Sequence, residues 1–134
     1  MKYPFHFDER RKYPRLAINL PLEYRESDNS SLEGGLVSNL SEMGMLIYSI
    51  KDIPIGSEFK TVVFFSNGFE FDGFRVIAKA IWKDPHLEAG WKGYKYGLQF
   101  VHILEEDRRK LLNLLGSTLL SEGGCKEEHL TQKS

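Results

Sequence analysis

From residue 16 the chain alternates apolar and polar positions. Leu16, Ile18, Leu20, Leu22 and Tyr24 interleave with Ala17, Asn19, Pro21, Glu23 and Arg25. A period of two predicts a strand with one buried face. Pro21 has no N–H to donate, so this strand is expected at a sheet edge or at a bulge. Residues 27–31 read as a loop by composition. Residues 35–40 and 45–50 read as two further strands, joined near positions 39–44. After a break at Pro54 and Gly56, residues 59–65 are apolar on both faces, which suits a strand buried on both sides. Asn67-Gly68 then signals a tight hairpin. The next strand carries Phe69 and Phe71 at odd positions, but Phe74, Val76, Ala78, Ala80 and Trp82 at even ones. That change of parity across Asp72-Gly73 predicts a β-bulge. Residues 84–93 read as a loop. Tyr94, Tyr96, Leu98, Phe100 and His102 form one face of a last strand.

Only then does the period lengthen. Leu104, Leu111, Leu112, Leu115 and Leu119 recur at helical spacing. Glu105, Glu106 and Asp107 fall in the first turn, where the helix dipole favours anions. Gly123-Gly124 is the expected stop, and Gly116 a weak point within. About six short strands followed by one helix predict a mainly β domain, a small antiparallel barrel or a sandwich, with the helix over an open end or face. Residues 1–8 read as a flexible arm, 9–121 as the folded domain and 122–134 as a disordered tail.

The 134 residues suffice for one domain with a real core. A net charge of -1 argues against general coating of nucleic acid, so any basic chemistry must be local. No apolar run reaches the ~18 residues of a membrane span. The N-terminus lacks a signal peptide's apolar stretch. The single Cys125 allows no intrachain disulfide, and a cytoplasmic location is the default expectation. His6, His86, His102 and His129 show no ligand spacing with one another or with Cys125, so no metal is expected. No nucleophile elbow, phosphate loop or paired-carboxylate arrangement is visible, and no catalytic residue is assigned. Trp82 lies on the apolar face and reads as core.

Local basic chemistry is concentrated in residues 8–15, Asp8-Glu9-Arg10-Arg11-Lys12-Tyr13-Pro14-Arg15. An arginine fork pairs bidentately with phosphate oxygens and with the O6 and N7 acceptors of guanine, and its flat face stacks on a base. Pro14 disfavours helix at Tyr13 and keeps this stretch extended. The second stretch is Asn39-Leu40-Ser41-Glu42-Met43-Gly44, about two dozen residues on. Asn39 has donors and acceptors that can meet a guanine edge. Ser41, two residues on, points the same way if the backbone is extended. Gly44 permits close approach or a positive φ.

Neither stretch is specific alone. In this order, on an all-β chain with a closing helix, they resemble the PilZ domain family, whose pattern is Arg-x-x-x-Arg followed by Asp/Asn-x-Ser-x-x-Gly. Arg11 and Arg15 match the first part; Asn39, Ser41 and Gly44 match the second. Met43 departs from the pattern where many members have a glycine. Gly97 and Phe100 resemble the family's closing Gly-x-x-Phe, and the likeness covers roughly residues 9 to 120. It implies a six-stranded antiparallel β-barrel with a C-terminal helix, and a receptor for cyclic di-GMP without enzymatic activity or metal. It further implies that Arg11 and Arg15 bind phosphates and guanine, while Asn39 and Ser41 hold the other guanine edges. An arginine at position 10 accompanies, in that family, an intercalated pair of ligands. The implied outputs are motility, surface polysaccharide, biofilm or virulence control through a partner protein, with neither DNA nor a membrane as target. Two rival readings are a barrel that binds single-stranded RNA and a PilZ-like adaptor that has lost the ligand.

Overall fold

The computed structural model describes the backbone of residues 15–88 and 90–123, and the side chains of 16–88 and 90–116. Arg10, Arg11, the proposed arm and residues 124–134, Cys125 among them, lie outside the described residues, while residues 122 and 123 of the expected tail belong to the last helix. The elements run β1 (Arg15–Arg25), β2 (Glu33–Ser41), β3 (Gly44–Ser49), β4 (Glu58–Asn67), β5 (Glu70–Glu88), β6 (Trp91–His102) and α1 (Glu105–Gly123). All pairings are antiparallel, and the strands close in the order β1-β2-β3-β6-β5-β4. Closure is made by β1 on β4, where Leu22, Glu23, Tyr24 and Arg25 face Val63, Val62, Thr61 and Lys60. Pro21 stands one residue before that ladder begins, so its missing N–H costs no bond to β4. A bulge between Ala17 and Leu20 bends the same strand.

The interior is filled by side chains. Leu22, Val37, Leu40, Met45, Ile47, Phe59, Val63, Phe74, Tyr96 and Leu98 are all buried there. Each large apolar side chain so buried contributes roughly 1.5–3 kcal/mol of transfer free energy. Tyr96 also serves a polar purpose: its hydroxyl donates to Lys51 O (2.6 Å) and accepts from Ile53 N (2.7 Å), which fixes the β3–β4 connection. From α1, Leu111 and Leu115 join the core, with Leu114 partly buried beside them. Two other leucines of the expected helical face do not. Leu112 lies a hundred degrees of helix from Leu111 and is exposed, as is Leu104 just before the helix. The Leu119 side chain is outside the described residues.

Three further expectations are corrected. The β4–β5 register is unbroken from Glu58↔Lys79 to Asn67↔Glu70, so there is no bulge at Asp72-Gly73 in that ladder. The parity change has another cause: Phe69 and Phe71 sit at the hairpin tip and are almost fully exposed. Residues 84–93 are not a loop but the arms of a long hairpin, paired out to Glu88↔Trp91. Pro85 is tolerated there because β4 pairs with β5 only up to Lys79, leaving that side of β5 free of a ladder. Finally, β4 is fully buried on one face only; Phe59, Thr61 and Val63 point inward while Val62 and Phe64 are half-buried.

Among the described residues no helix is long and apolar enough to cross a membrane.

Candidate functional site

The ladder between β1 and β2 decides which motif residues meet. Arg15 is the direct partner of Ser41, and Ala17 of Asn39. Partners in an antiparallel pair lie about 4.5–5.5 Å apart at Cα. The last arginine of the first motif is thereby set against the second motif, although about two dozen residues separate them in sequence. Of Arg15 the backbone alone is described; its side chain, with Arg10 and Arg11, lies outside the described residues.

The second motif spans the end of β2 and the start of β3. β2 is irregular on both sides of Ser38: the register slips between Ala17 and Leu20 toward β1, and between Val37 and Asn39 toward β3. Bulges of this kind re-aim the side chains that follow. The next residue, Asn39, is half-buried, and its Oδ1 is buried without a hydrogen-bond partner among the described residues. A buried acceptor left unpaired costs roughly 1–3 kcal/mol, so a donor supplied to this atom would be stabilising.

Ser41 behaves differently. It is buried, and its Oγ accepts from Met43 N (3.2 Å) and Gly44 N (3.3 Å) while donating to Gly44 O (3.2 Å). All of its capacity goes into closing the turn. Gly44 is buried at the head of β3 opposite Gln99. Among the described residues the glycines with positive φ are Gly56, Gly68 and Gly90, so Gly44 is not needed for a left-handed backbone. Met43, the departure from the family pattern, is partly exposed, and its carbonyl accepts from Phe100 N (2.9 Å). The turn is thus tied to β6 as well.

Two acidic residues outside the motif pattern tie α1 to the barrel. Glu42, inside the turn, is ion-paired to Arg108 of α1. Asp107 is buried, and its Oδ1 accepts from the backbone N of Arg75 (2.9 Å), docking the helix start on β5. The acidic helix start was legible, but its second use was not. A carboxylate inside a motif turn signals a need for a counter-charge, yet nothing local points to a partner 66 positions away.

Two concavities among the described residues lie elsewhere. One of about 730 Å³ is lined by Gly35, Tyr48, His86 and Trp91, and another of about 640 Å³ by Arg25, Lys60, Arg75 and Asp107. Neither includes Asn39, Ser41 or Gly44. The first is an aromatic groove in which Tyr48, His86 and Trp91 already pack on one another. Among the described residues no group of His, Cys, Asp or Glu is placed to hold a metal ion.

Solved structures share this architecture. The PilZ domain of YcgR from Escherichia coli, solved with c-di-GMP, matches with a TM-score of 0.66 at 16% identity, over 86% of this chain and 98% of that one. MotI/DgrA, the inhibitor of motility from Bacillus subtilis, matches at 0.68 and 15% identity, over 86% of this chain and 54% of its own. The MrkH–c-di-GMP complex of K. pneumonia matches at 0.69 and 14%, over 89% and 56%. The chain spans about half the length of MotI/DgrA and of MrkH. A sequence comparison with curated proteins gives no match. At these identities the structural likeness speaks for the fold. The PilZ domain pattern itself matches residues 9–117, a span that takes in both motifs, all six strands and the first turns of α1, and on that ground the chain belongs to the PilZ domain family.

Proposed function

We propose that this chain is a receptor for cyclic di-GMP that acts on a partner protein and has no catalytic activity of its own. The observation that carries the reading is the register Arg15↔Ser41, Ala17↔Asn39, which brings the backbone of the last arginine of the first motif beside a buried amide oxygen that has no partner among the described residues. Guanine presents N–H donors on its Watson–Crick edge, and an orphan acceptor such as Asn39 Oδ1 suits them. Arg11 and Arg15 take the phosphates and the O6 and N7 acceptors. Ser41 supports these contacts by holding the turn, and Gly44 by leaving room. YcgR and MrkH, similar in fold, were solved with c-di-GMP. Ligand capture by the residues before β1 changes the surface beside the barrel, a common route from binding to output. The outputs that fit are control of motility, surface polysaccharide, biofilm or virulence.

Calorimetric titration with cyclic di-GMP tests this. Saturable binding is expected. Arg11→Ala and Arg15→Ala each remove a charge-assisted bond and should cost about 1.5–3 kcal/mol, roughly ten- to 150-fold in affinity. Folded wild-type protein that fails to bind sinks the proposal. The same titration reads stoichiometry. A second ligand brings two more phosphates and exposed guanine faces, and Arg10 can meet both by charge and by stacking. Two ligands per chain are expected, as an intercalated dimer, falling to one in Arg10→Leu. One ligand per chain in both proteins rejects the dimer and leaves the receptor reading intact.

A further inference from the structure

The turn that follows Asn39 carries a carboxylate of its own. Glu42 stands between Ser41 and Met43, about a quarter exposed, and Arg108 of α1 reaches across to it with Nη2. Neither group is free to wander. The Glu42 turn is held by Ser41 Oγ, which accepts from Met43 N and Gly44 N and donates to Gly44 O, and by Phe100 N on the Met43 carbonyl. Arg108 is flanked by Asp107, which is bonded to Arg75 N, and by Lys110, whose Nζ donates to Asp72 Oδ1 (3.0 Å) and to Gly73 O (3.1 Å). Two mobile surface side chains gain little from pairing. Here both backbones are fixed in advance, so the pair has a defined place beside the candidate site.

Resting on the ligand reading above, we propose that Arg108 is a positioning residue of the cyclic di-GMP site, which sets the charge of the turn by cancelling Glu42. A carboxylate fixed in that turn opposes an incoming ligand with two phosphates. Paired, it is neutralised, and the guanidinium remains 42% exposed, able to extend its field toward the ligand. The alternative is that the pair merely staples α1 to the barrel. The two differ in what a second substitution does. If charge is the cause, removing Glu42 repairs the loss of Arg108; if stapling is the cause, it cannot.

The experiment is a double-mutant cycle in the full chain: wild type, Arg108→Gln, Glu42→Gln and both together. Each is titrated with cyclic di-GMP at low and at raised salt, with thermal melts to establish folding. Arg108→Gln should bind about tenfold more weakly, as when one partner of a fixed charge pair is removed. Its deficit should shrink with salt. Glu42→Gln should bind at least as tightly as wild type, and the double variant should return to within about threefold of it. Arg108→Gln binding like wild type, or a double variant no better than Arg108→Gln, overturns the inference. If Arg108→Gln does not fold, Glu42→Gln decides alone: weaker binding overturns the inference, and equal or tighter binding supports it. A wild-type chain that does not bind overturns the ligand reading itself, and this inference with it.

Discussion

Ser41 and Asn39 are two positions apart and stand in opposite relation to the fold. Ser41 Oγ makes three hydrogen bonds inside the turn, so Ser41→Ala strands the buried Gly44 N–H and the part-buried Met43 N–H. That should lower stability by about 1–3 kcal/mol, and weaken ligand binding only as a consequence. Asn39→Ala removes an acceptor that has no partner among the described residues, so stability should move little. Its loss should appear in recognition, as weaker discrimination of cyclic di-GMP over cyclic di-AMP. Melting temperatures and the two titrations check the pair together. An equal loss of affinity for both nucleotides in Asn39→Ala would count against a guanine contact. The motif was legible in sequence because its residue types are distinctive. The division of labour within it was not, because a serine that closes a turn and a serine that touches a ligand look alike in one dimension.

Among the elements, β5 and β6 show how a packing requirement resembles a functional motif. Gly97, part of the closing Gly-x-x-Phe, lies under the indole of Trp82; a Cβ there would come within 2.2 Å of Trp82 Nε1 and 2.5 Å of its Cε2. The indole is buried and cannot simply swing out. Gly97→Ala should therefore destabilise the barrel by roughly 1–3 kcal/mol or more through overpacking, with unchanged ligand affinity in whatever fraction folds. A smaller residue at position 82 should recover part of the loss, so denaturant melts of Gly97→Ala and of Gly97→Ala with Trp82→Leu test the contact directly. A Gly97→Ala chain as stable as wild type would refute it. The element order was readable from periodicity alone, since alternation changes to helical spacing only once. The extent of the β5–β6 hairpin was not, because Pro85 and Gly90 read as loop formers. Pro85 is accommodated by the unladdered side of β5, and Gly90 by a φ of 85° at the hairpin tip. Those are facts about neighbours, which residue types do not carry.

Across the whole molecule, periodicity leaves barrel and sandwich equally open, because the step that separates them is a ladder between residues 22–25 and 60–63, far apart in sequence. That closing seam places Tyr24 inside, buried against Phe59, with its hydroxyl bonded to Ser49 Oγ (2.7 Å). Burial pushes the Tyr24 phenol from 10.0 up to about 12, with the Ser49 bond opposing. Burial raises Tyr96 as well, against the bond from Ile53 N. Lys83 is raised by its hydrogen bond to Asp52. All three groups act in one direction. A group whose pKa is higher folded than unfolded holds its proton longer in the native state. Its contribution is complete below the unfolded value and disappears as pH rises through the folded one. The barrel should therefore lose stability between about pH 10 and pH 12, as the unfolded chain's tyrosines ionise first. Denaturant melts followed across that window check the slope, and the part of the phenolate absorbance that Tyr24→Phe removes should rise together with unfolding rather than before it. In Tyr24→Phe the slope should be shallower. At neutral pH that variant should lose only about 1 kcal/mol, because Ser49 Oγ keeps the Gly34 carbonyl as a partner (3.3 Å). Stability that stays flat through the window in wild type, or falls equally steeply in Tyr24→Phe, would show that the seam does not hold its tyrosine as the buried, hydrogen-bonded acid described here.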